Sequence, residues 1–383
     1  MAADVLDWWR HLHRHPELSY HEEETARFVA ERLALFGDLE IERPTPFSVV
    51  ARLRGARPGR CLAIRADLDA LPVSEETGLP FASQRPGIMH ACGHDGHTAI
   101  LLGAARVLTR QRQMLSGEVR FVFQHAEEVS PGGAQELVDL GVLEGADYVI
   151  GLHLWLSLPA GKIGIAAGPL TAAPDSFRAR IVGRGGHAAQ PHLNVDPIPV
   201  AAEAILALQQ IASRRVDPRQ PIVVSVTEIH AGTADNVTPD EVTLAGTVRT
   251  YSPQLQAEAQ RLIAGILQGI AQAHGASSAL EYVRGYRPVV NDPWLATRLH
   301  DVFVELLGEG SVQVAEPSMV GEDFSAYQQV VPGCFFWLGA RNEAKGIVYP
   351  HHHPRFTVDE DVLPLGVAAL AAAALRLLGE TRR

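Results

Sequence analysis

The sequence predicts an α/β protein, a mixed β-sheet covered by helices and interrupted by a smaller domain with its own element order. Three observations lead there. Up to Pro174, short β-rich runs alternate with helical ones. Beyond it the order becomes β-α-β-β-α-β, and after Pro288 the mixed alternation resumes and closes on an Ala/Leu-rich helix.

Val5, Trp8, Trp9 and Leu12 share one face of an opening helix that Pro16 ends. Phe28, Val29, Leu33 and Phe36 mark a second, closed by Gly37. Residues 47–53, 61–66, 119–124 and 148–153 read as strands, 97–108 and 134–140 as helices. Next, 176–183, 222–229, 241–250 and 278–286 read as strands and 197–213 and 254–273 as helices, the order of a ferredoxin-like unit. The larger domain is therefore split over 1–173 and 288–383, with 174–287 inserted and a last helix over 363–378.

Composition narrows the function. Of 383 residues, 46% are hydrophobic and 20% charged, the balance of an ordinary globular chain. A net charge of -11 argues against nucleic acid as a partner, because phosphate contact needs a basic face. No uninterrupted apolar run of about 18 residues suggests a membrane span. The opening residues carry no apolar signal core. Cys61, Cys92 and Cys334 are sparse and odd in number, which suits a reducing compartment, and cytoplasm is the expectation.

The chemistry-bearing residues gather in few places. Met89-His90-Ala91-Cys92-Gly93-His94-Asp95-Gly96-His97 lies between a loop and the start of an apolar helix. A helix N-terminus favours a thiolate, and a Cys and a His one residue apart can face one metal. Alone, Cys-x-His reads as a buried cysteine beside a capping histidine. Further donors weigh against that. Gln124-His125-Ala126-Glu127-Glu128 runs off an apolar strand, where one carboxylate can bind metal and the other move protons. His153 sits inside an apolar strand, and His351-His352-His353 stands between two prolines. Two rival motifs fail. Gly183-Arg184-Gly185-Gly186-His187-Ala188 opens no helix, as a dinucleotide site requires. His125-Ala126-Glu127 lacks the later Pro-Cys-x-x-Cys of a zinc deaminase.

At this point the chain resembles the aminoacylase/carboxypeptidase metallopeptidase superfamily, in the branch of hippurate hydrolases, N-acyl-amino-acid amidohydrolases and auxin-conjugate hydrolases. The matching pieces include Arg14-His15-Pro16-Glu17-Leu18-Ser19, Arg65-Ala66-Asp67-Leu68-Asp69, the 89–97 segment, Gly151-Leu152-His153, Gly186-His187-Ala188, Asn236-Val237, Gly321-Glu322-Asp323-Phe324 and His352-His353-Pro354. The resemblance implies two divalent ions per chain (Mn, Zn, Co or Ni) bridged by Cys92, with His94 and His153 on one and Glu128 and His352 on the other. It implies Glu127 as general acid/base, Asp69 as the orienting carboxylate and His187 at the oxyanion, in its own or a partner's site. Asn236 and Arg249 are expected to hold a substrate carboxylate, and the inserted domain to act as lid and dimerisation domain of a homodimer. His125, where many relatives have Pro, and Val129-Ser130-Pro131, in place of a Gly-rich turn, are expected to reshape the pocket.

The expected reaction is hydrolysis of a small N-acyl amino acid. Two ions bring +4, and Cys92, Glu128 and a hydroxide bring -3 when ionised; the remaining +1 favours an anionic substrate. Two alternatives stay open at this level: a metal-free amidase with Cys92 as nucleophile, and a metal-binding module without catalysis.

Overall fold

A computed structural model describes residues 2–379; Met1 and 380–383, included in the expected split domain, lie outside the described residues. The chain divides into two compact units. One comprises Met1–Leu170, Val289–Glu316 and Asp323–Arg383, the other Thr171–Pro288 and Pro317–Glu322.

The first unit opens with α1 (Ala2–Arg14), α2 (Glu23–Ala34), β1 (Glu40–Glu42), β2 (Val49–Arg54), β3 (Arg57–Asp67), α3 (His94–Arg110), β4 (Ser116–Gln124), α4 (Gly133–Asp139), β5 (Tyr148–Pro159), β6 (Ile163–Ile165) and β7 (Gly168–Pro169). The second unit supplies β8 (Ala173–Val182), β9 (Gly186–His187), α5 (Pro197–Gln210), β10 (Ile222–His230), β11 (Val237–Thr238), β12 (Glu241–Thr250), α6 (Pro253–Ala273) and β13 (Ser277–Val283). The first unit then resumes with β14 (Val290–Asn291), α7 (Pro293–Leu307), β15 (Val312–Val314), β16 (Gly333–Arg341) and α8 (Leu363–Gly379).

An eight-stranded mixed sheet ordered β1-β2-β4-β3-β5-β16-β6-β15 forms the first unit's spine. Its central neighbours β4, β3, β5 and β16 run parallel. β3, β4 and β5 are buried on both faces over consecutive residues, as strands between two covering layers are. One face packs on α1, α3, α7 and α8 through Leu62, Ile64, Ile100, Phe121, Leu299 and Leu370. The other carries Ala63, Val122, Leu137, Phe335 and Trp337. Parallel strands in such a sheet open a crevice beyond their carboxyl ends, where ligands bind. Asp67, Gln124 and His153 stand at or near those ends.

By length and composition the stretch Glu360–Gly379, though interrupted by Arg376, is apolar enough to cross a membrane. It is a core helix instead: 61% of the stretch is buried. The missing Cβ of Gly103 on α3 leaves room for Val367, and that of Gly366 for Ile100.

In the second unit a sheet ordered β10-β12-β8-β13 is antiparallel throughout. With α5 and α6 packed on it, this is the ferredoxin-like arrangement. Element ends differ from the pattern reading where packing carries them further. β5 runs past residue 153 to Pro159 because β16 continues to pair with it. The helix expected over 197–213 ends at Gln210, and a π-turn over Ile211–Arg215 follows.

Candidate metal centre

The centre lies in the first unit, at the carboxyl ends of the parallel strands. α3 begins at His94, three residues before the expected start, so His94 occupies the first helical turn. Gly93, with φ +95°, turns the chain between Cys92 and the helix. A left-handed conformation there suits glycine alone at little cost.

Two donor groups share one thiol. Cys92, His94 and His153 form the first, and Cys92, Glu128 and His352 the second; within each, the donor atoms lie within 4.8 Å of one another. Cys92 Sγ is 3.5 Å from His153 Nε2, and His352 Nε2 is 3.4 Å from Glu128 Oε1. His352 takes a positive φ of 67°, and its backbone N–H donates to Ala91 O at 2.8 Å, tying its loop to the Cys92 segment.

Hydrogen bonds select the imidazole nitrogens. His94 Nδ1 faces Asp69 O at 2.9 Å and Asp69 Oδ1 at 3.2 Å, so the proton sits on Nδ1. Nε2 is buried without a hydrogen bond among the described residues, with Asp67 and Glu128 oxygens each 3.8 Å away. His153 Nδ1 donates to Leu154 O at 2.8 Å, leaving Nε2 toward Cys92. Second-sphere acceptors of this kind orient metal-binding imidazoles. His97 belongs to a further donor group with Asp67 and His94, yet both its nitrogens are engaged. Its Nε2 accepts from Leu154 N–H at 2.9 Å, and Nδ1 donates to Asp67 Oδ1 at 2.6 Å. We read His97 as a brace for Asp67, outside the ligand set.

Electrostatics describe a cage that calls for cations. Burial, then Glu128, Glu127 and Asp67, push the Cys92 thiol well above its ordinary range. Burial opposes a charge on His94, but Asp67, Asp69 and Glu128 hold its imidazole up at about 10. His94 Nε2 and Glu128 Oε1, both shut off from water and without a hydrogen bond among the described residues, are the atoms a cation would satisfy. Thiolate, imidazole and carboxylate together fit divalent transition ions.

Pattern reading missed the layer beneath. Arg65, fully buried, donates to Asp67 at 2.6 Å, to Asp323 at 2.8 Å and to Gln124 at 2.8 Å. Asp67 stands 3.8 Å from His94 Nε2, and Arg65 balances its charge. Arg65 and Asp67 were visible only as a matched motif; their roles depend on contacts with residues up to 258 positions away. Asp69 Oδ2 accepts from Glu128 N–H at 2.9 Å and from the Ser19 hydroxyl at 2.7 Å. Glu127 is 8% exposed, next to Glu128. His125 is turned away to Glu136, 2.9 Å distant, with Tyr20 edge-on against its ring.

The remaining expected residues lie in the second unit. His187 and Asn236 are brought together: β9 pairs with β11 at His187 and Val237, and Ala188 N–H donates to Asn236 O at 3.1 Å. His187 Nδ1 accepts from Ala189 N–H at 3.1 Å, which puts the ring proton on exposed Nε2. Arg249 sits elsewhere. The His187 hairpin joins the Glu241 end of β12 through Asp240, whereas Arg249 is at the other end, paired with Pro174. At about 3.3 Å per residue the two ends are roughly 26 Å apart. In one chain the His187–Asn236 hairpin and Arg249 therefore stand toward opposite ends of β12. Among the described residues, the half-buried Arg249 side chain makes no hydrogen bond or ion pair.

A donor set of this composition at the carboxyl ends of a parallel sheet, buried but for His352, is that of a hydrolytic metalloenzyme. More narrowly, the chain belongs to peptidase family M20/M25/M40, whose model matches residues 63–376. It is 56% identical to an N-acyl-L-amino acid amidohydrolase of Geobacillus stearothermophilus over 291 residues, 76% of this chain and 79% of that one. It is 41% identical to thermostable carboxypeptidase 1 of Saccharolobus solfataricus, over 98% of this chain and 96% of that one. Among solved structures it resembles the YXEP protein of Bacillus subtilis, described as a dinuclear metal binding peptidase. There the TM-score is 0.87 at 36% identity, covering 99% of each chain.

Proposed function

We propose that this enzyme is a metal-dependent amidohydrolase that cleaves N-acyl amino acids to a carboxylic acid and a free amino acid. The observation that carries it is the sharing of Cys92 by two donor groups with Glu127 beside them. The name and 56% identity of the Geobacillus relative support the substrate class. Cys92, His94 and His153 would hold one ion, and Cys92, Glu128 and His352 a second. When bound, the ions supply Lewis acidity and an acidified water.

The chain's own groups do the rest. Glu127 accepts the proton of the attacking water and returns one to the departing amine nitrogen. Asp69 fixes His94 through its ring proton and Glu128 through its backbone N–H. His187, protonated on Nε2, is the donor for the carbonyl oxygen as it gains charge. Arg249 is the fork for the substrate's α-carboxylate, a geometry guanidinium matches bidentately. An N-acyl amino acid is far shorter than the roughly 26 Å between the ends of β12. His187 with Asn236 and Arg249 therefore come from two copies of the chain, and the working form is a homodimer. The three free cysteines, all buried, favour a reducing compartment, which we take to be the cytoplasm.

The test is a panel of N-acetyl, N-benzoyl and N-indolylacyl amino acids, each assayed with Mn, Zn, Co and Ni. At least one acyl class is turned over, and its amino-acid amide is a far poorer substrate. Failure on every N-acyl amino acid, with activity only on amides lacking a carboxylate, would overturn the substrate assignment.

A further inference from the structure

The strongest group left unused by the mechanism above is Glu22. It stands immediately before α2, fully buried, and 104 positions from its partner. Its side chain makes no cap for its own helix. Instead Oε1 accepts the backbone N–H of Ala126 at 2.7 Å.

Ala126 is the residue at which the chain leaves β4 for Glu127 and Glu128. Its φ is +50°, a left-handed conformation that is strained for an L-residue. Such a conformation persists only where the surroundings fix it. Here they fix both sides of the residue. Glu22 receives its N–H, and its carbonyl accepts from Gly133 N–H at 3.0 Å. A Cβ on Gly133 would lie 2.1 Å from His125 O, so the turn is closely sandwiched. Two residues further on, Asp69 receives Glu128 N–H at 2.9 Å. Glu127 is thus bracketed by two buried carboxyl groups, Glu22 on the residue before it and Asp69 on the residue after.

We propose that Glu22 is a positioning residue for the reaction: by holding Ala126 in its left-handed turn it aims Glu127 at the attacking water and Glu128 at its metal. The role rests on the amidohydrolase reading for its consequence in turnover, but not for its consequence in metal binding. Burial, and then Asp69, raise the Glu22 carboxyl to about 8. Glutamine keeps the length and the oxygen that accepts the Ala126 N–H, whereas methionine keeps the length and removes the acceptor.

The experiment compares Glu22→Gln and Glu22→Met, each alone and combined with Ala126→Gly. Glycine adopts positive φ without strain, so it makes the clamp dispensable. Turnover of an N-acyl amino acid and Co2+ binding by equilibrium dialysis are read together, with wild type as control. Glu22→Met should lower kcat about 10- to 100-fold, the scale of an ångström misplacement of a catalytic group. It should also weaken the second Co2+ more than the first. Glu22→Gln should retain most of both properties, and Ala126→Gly should restore much of both to Glu22→Met. If Glu22→Met alone does not fold, the double variant with Ala126→Gly is compared with Ala126→Gly alone. A large additional loss from Glu22→Met in that glycine background overturns the proposal, as does a folded Glu22→Met with unchanged kcat and Co2+ affinity. If wild type binds two Co2+ but hydrolyses no N-acyl amino acid, the substrate reading fails while the Co2+ arm still decides the role of Glu22.

Discussion

Cys92 separates the competing chemistries. A metal-free nucleophile needs a lowered thiol pKa. Burial and three nearby carboxylates do the opposite, so a metal-free Cys92 would be a protonated, inert thiol. Bound cations would reverse that balance. On the proposed mechanism adjacent Glu127 and Glu128 divide the work, one moving protons and the other holding metal. Glu127→Gln should keep metal content yet lower kcat by about 100-fold or more, read by steady-state assay beside elemental analysis. Glu128→Gln should instead lower metal content first. Much at this scale was legible: cysteine, histidine and paired carboxylates at strand ends carry a recognisable donor pattern. Arg65, Asp67 and Glu22 gave no comparable signal. A buried charge is intelligible only with its partner, and theirs are distant in sequence.

At the level of elements, apolar periodicity found the helices and central strands because each buries a defined face. It could not separate a membrane-length apolar helix from a core helix, since both are apolar all round. α8 is the second kind, with Leu370 1% exposed in the main core. Leu370→Ala should therefore destabilise the protein by about 2–5 kcal/mol, measured by urea unfolding at saturating metal. A change below 0.5 kcal/mol would mean that α8 is not integral to the fold. Element ends were less legible because neighbours set them: β16 draws β5 out to Pro159, and the first turn of α3 takes in His94.

For the whole molecule, the βαββαβ order was readable from alternating patterns, but strand length was not read as a distance. The His187–Asn236 hairpin and Arg249 lie toward opposite ends of β12, which is why the proposed function draws them from two copies of the chain. Arg249→Ala should reduce kcat/KM for an N-acyl amino acid by roughly 10- to 100-fold, as expected for about 1.5–3 kcal/mol from a charged hydrogen bond. The matching N-acyl amino amide should lose much less. Mixing inactive His187→Ala with inactive Glu127→Gln subunits should recover part of the activity, as a shared site requires. No recovery despite demonstrated subunit exchange would place the whole site in one chain. The most direct measurement concerns the metals themselves: strip the enzyme with chelator, add Mn2+ back in steps, and follow hydrolysis of an N-acyl amino acid against bound ions per chain. Activity should be absent in the stripped protein and reach its maximum as occupancy approaches two. Undiminished hydrolysis by verified metal-free protein would contradict a metal-dependent reaction at Cys92, His94, Glu128, His153 and His352.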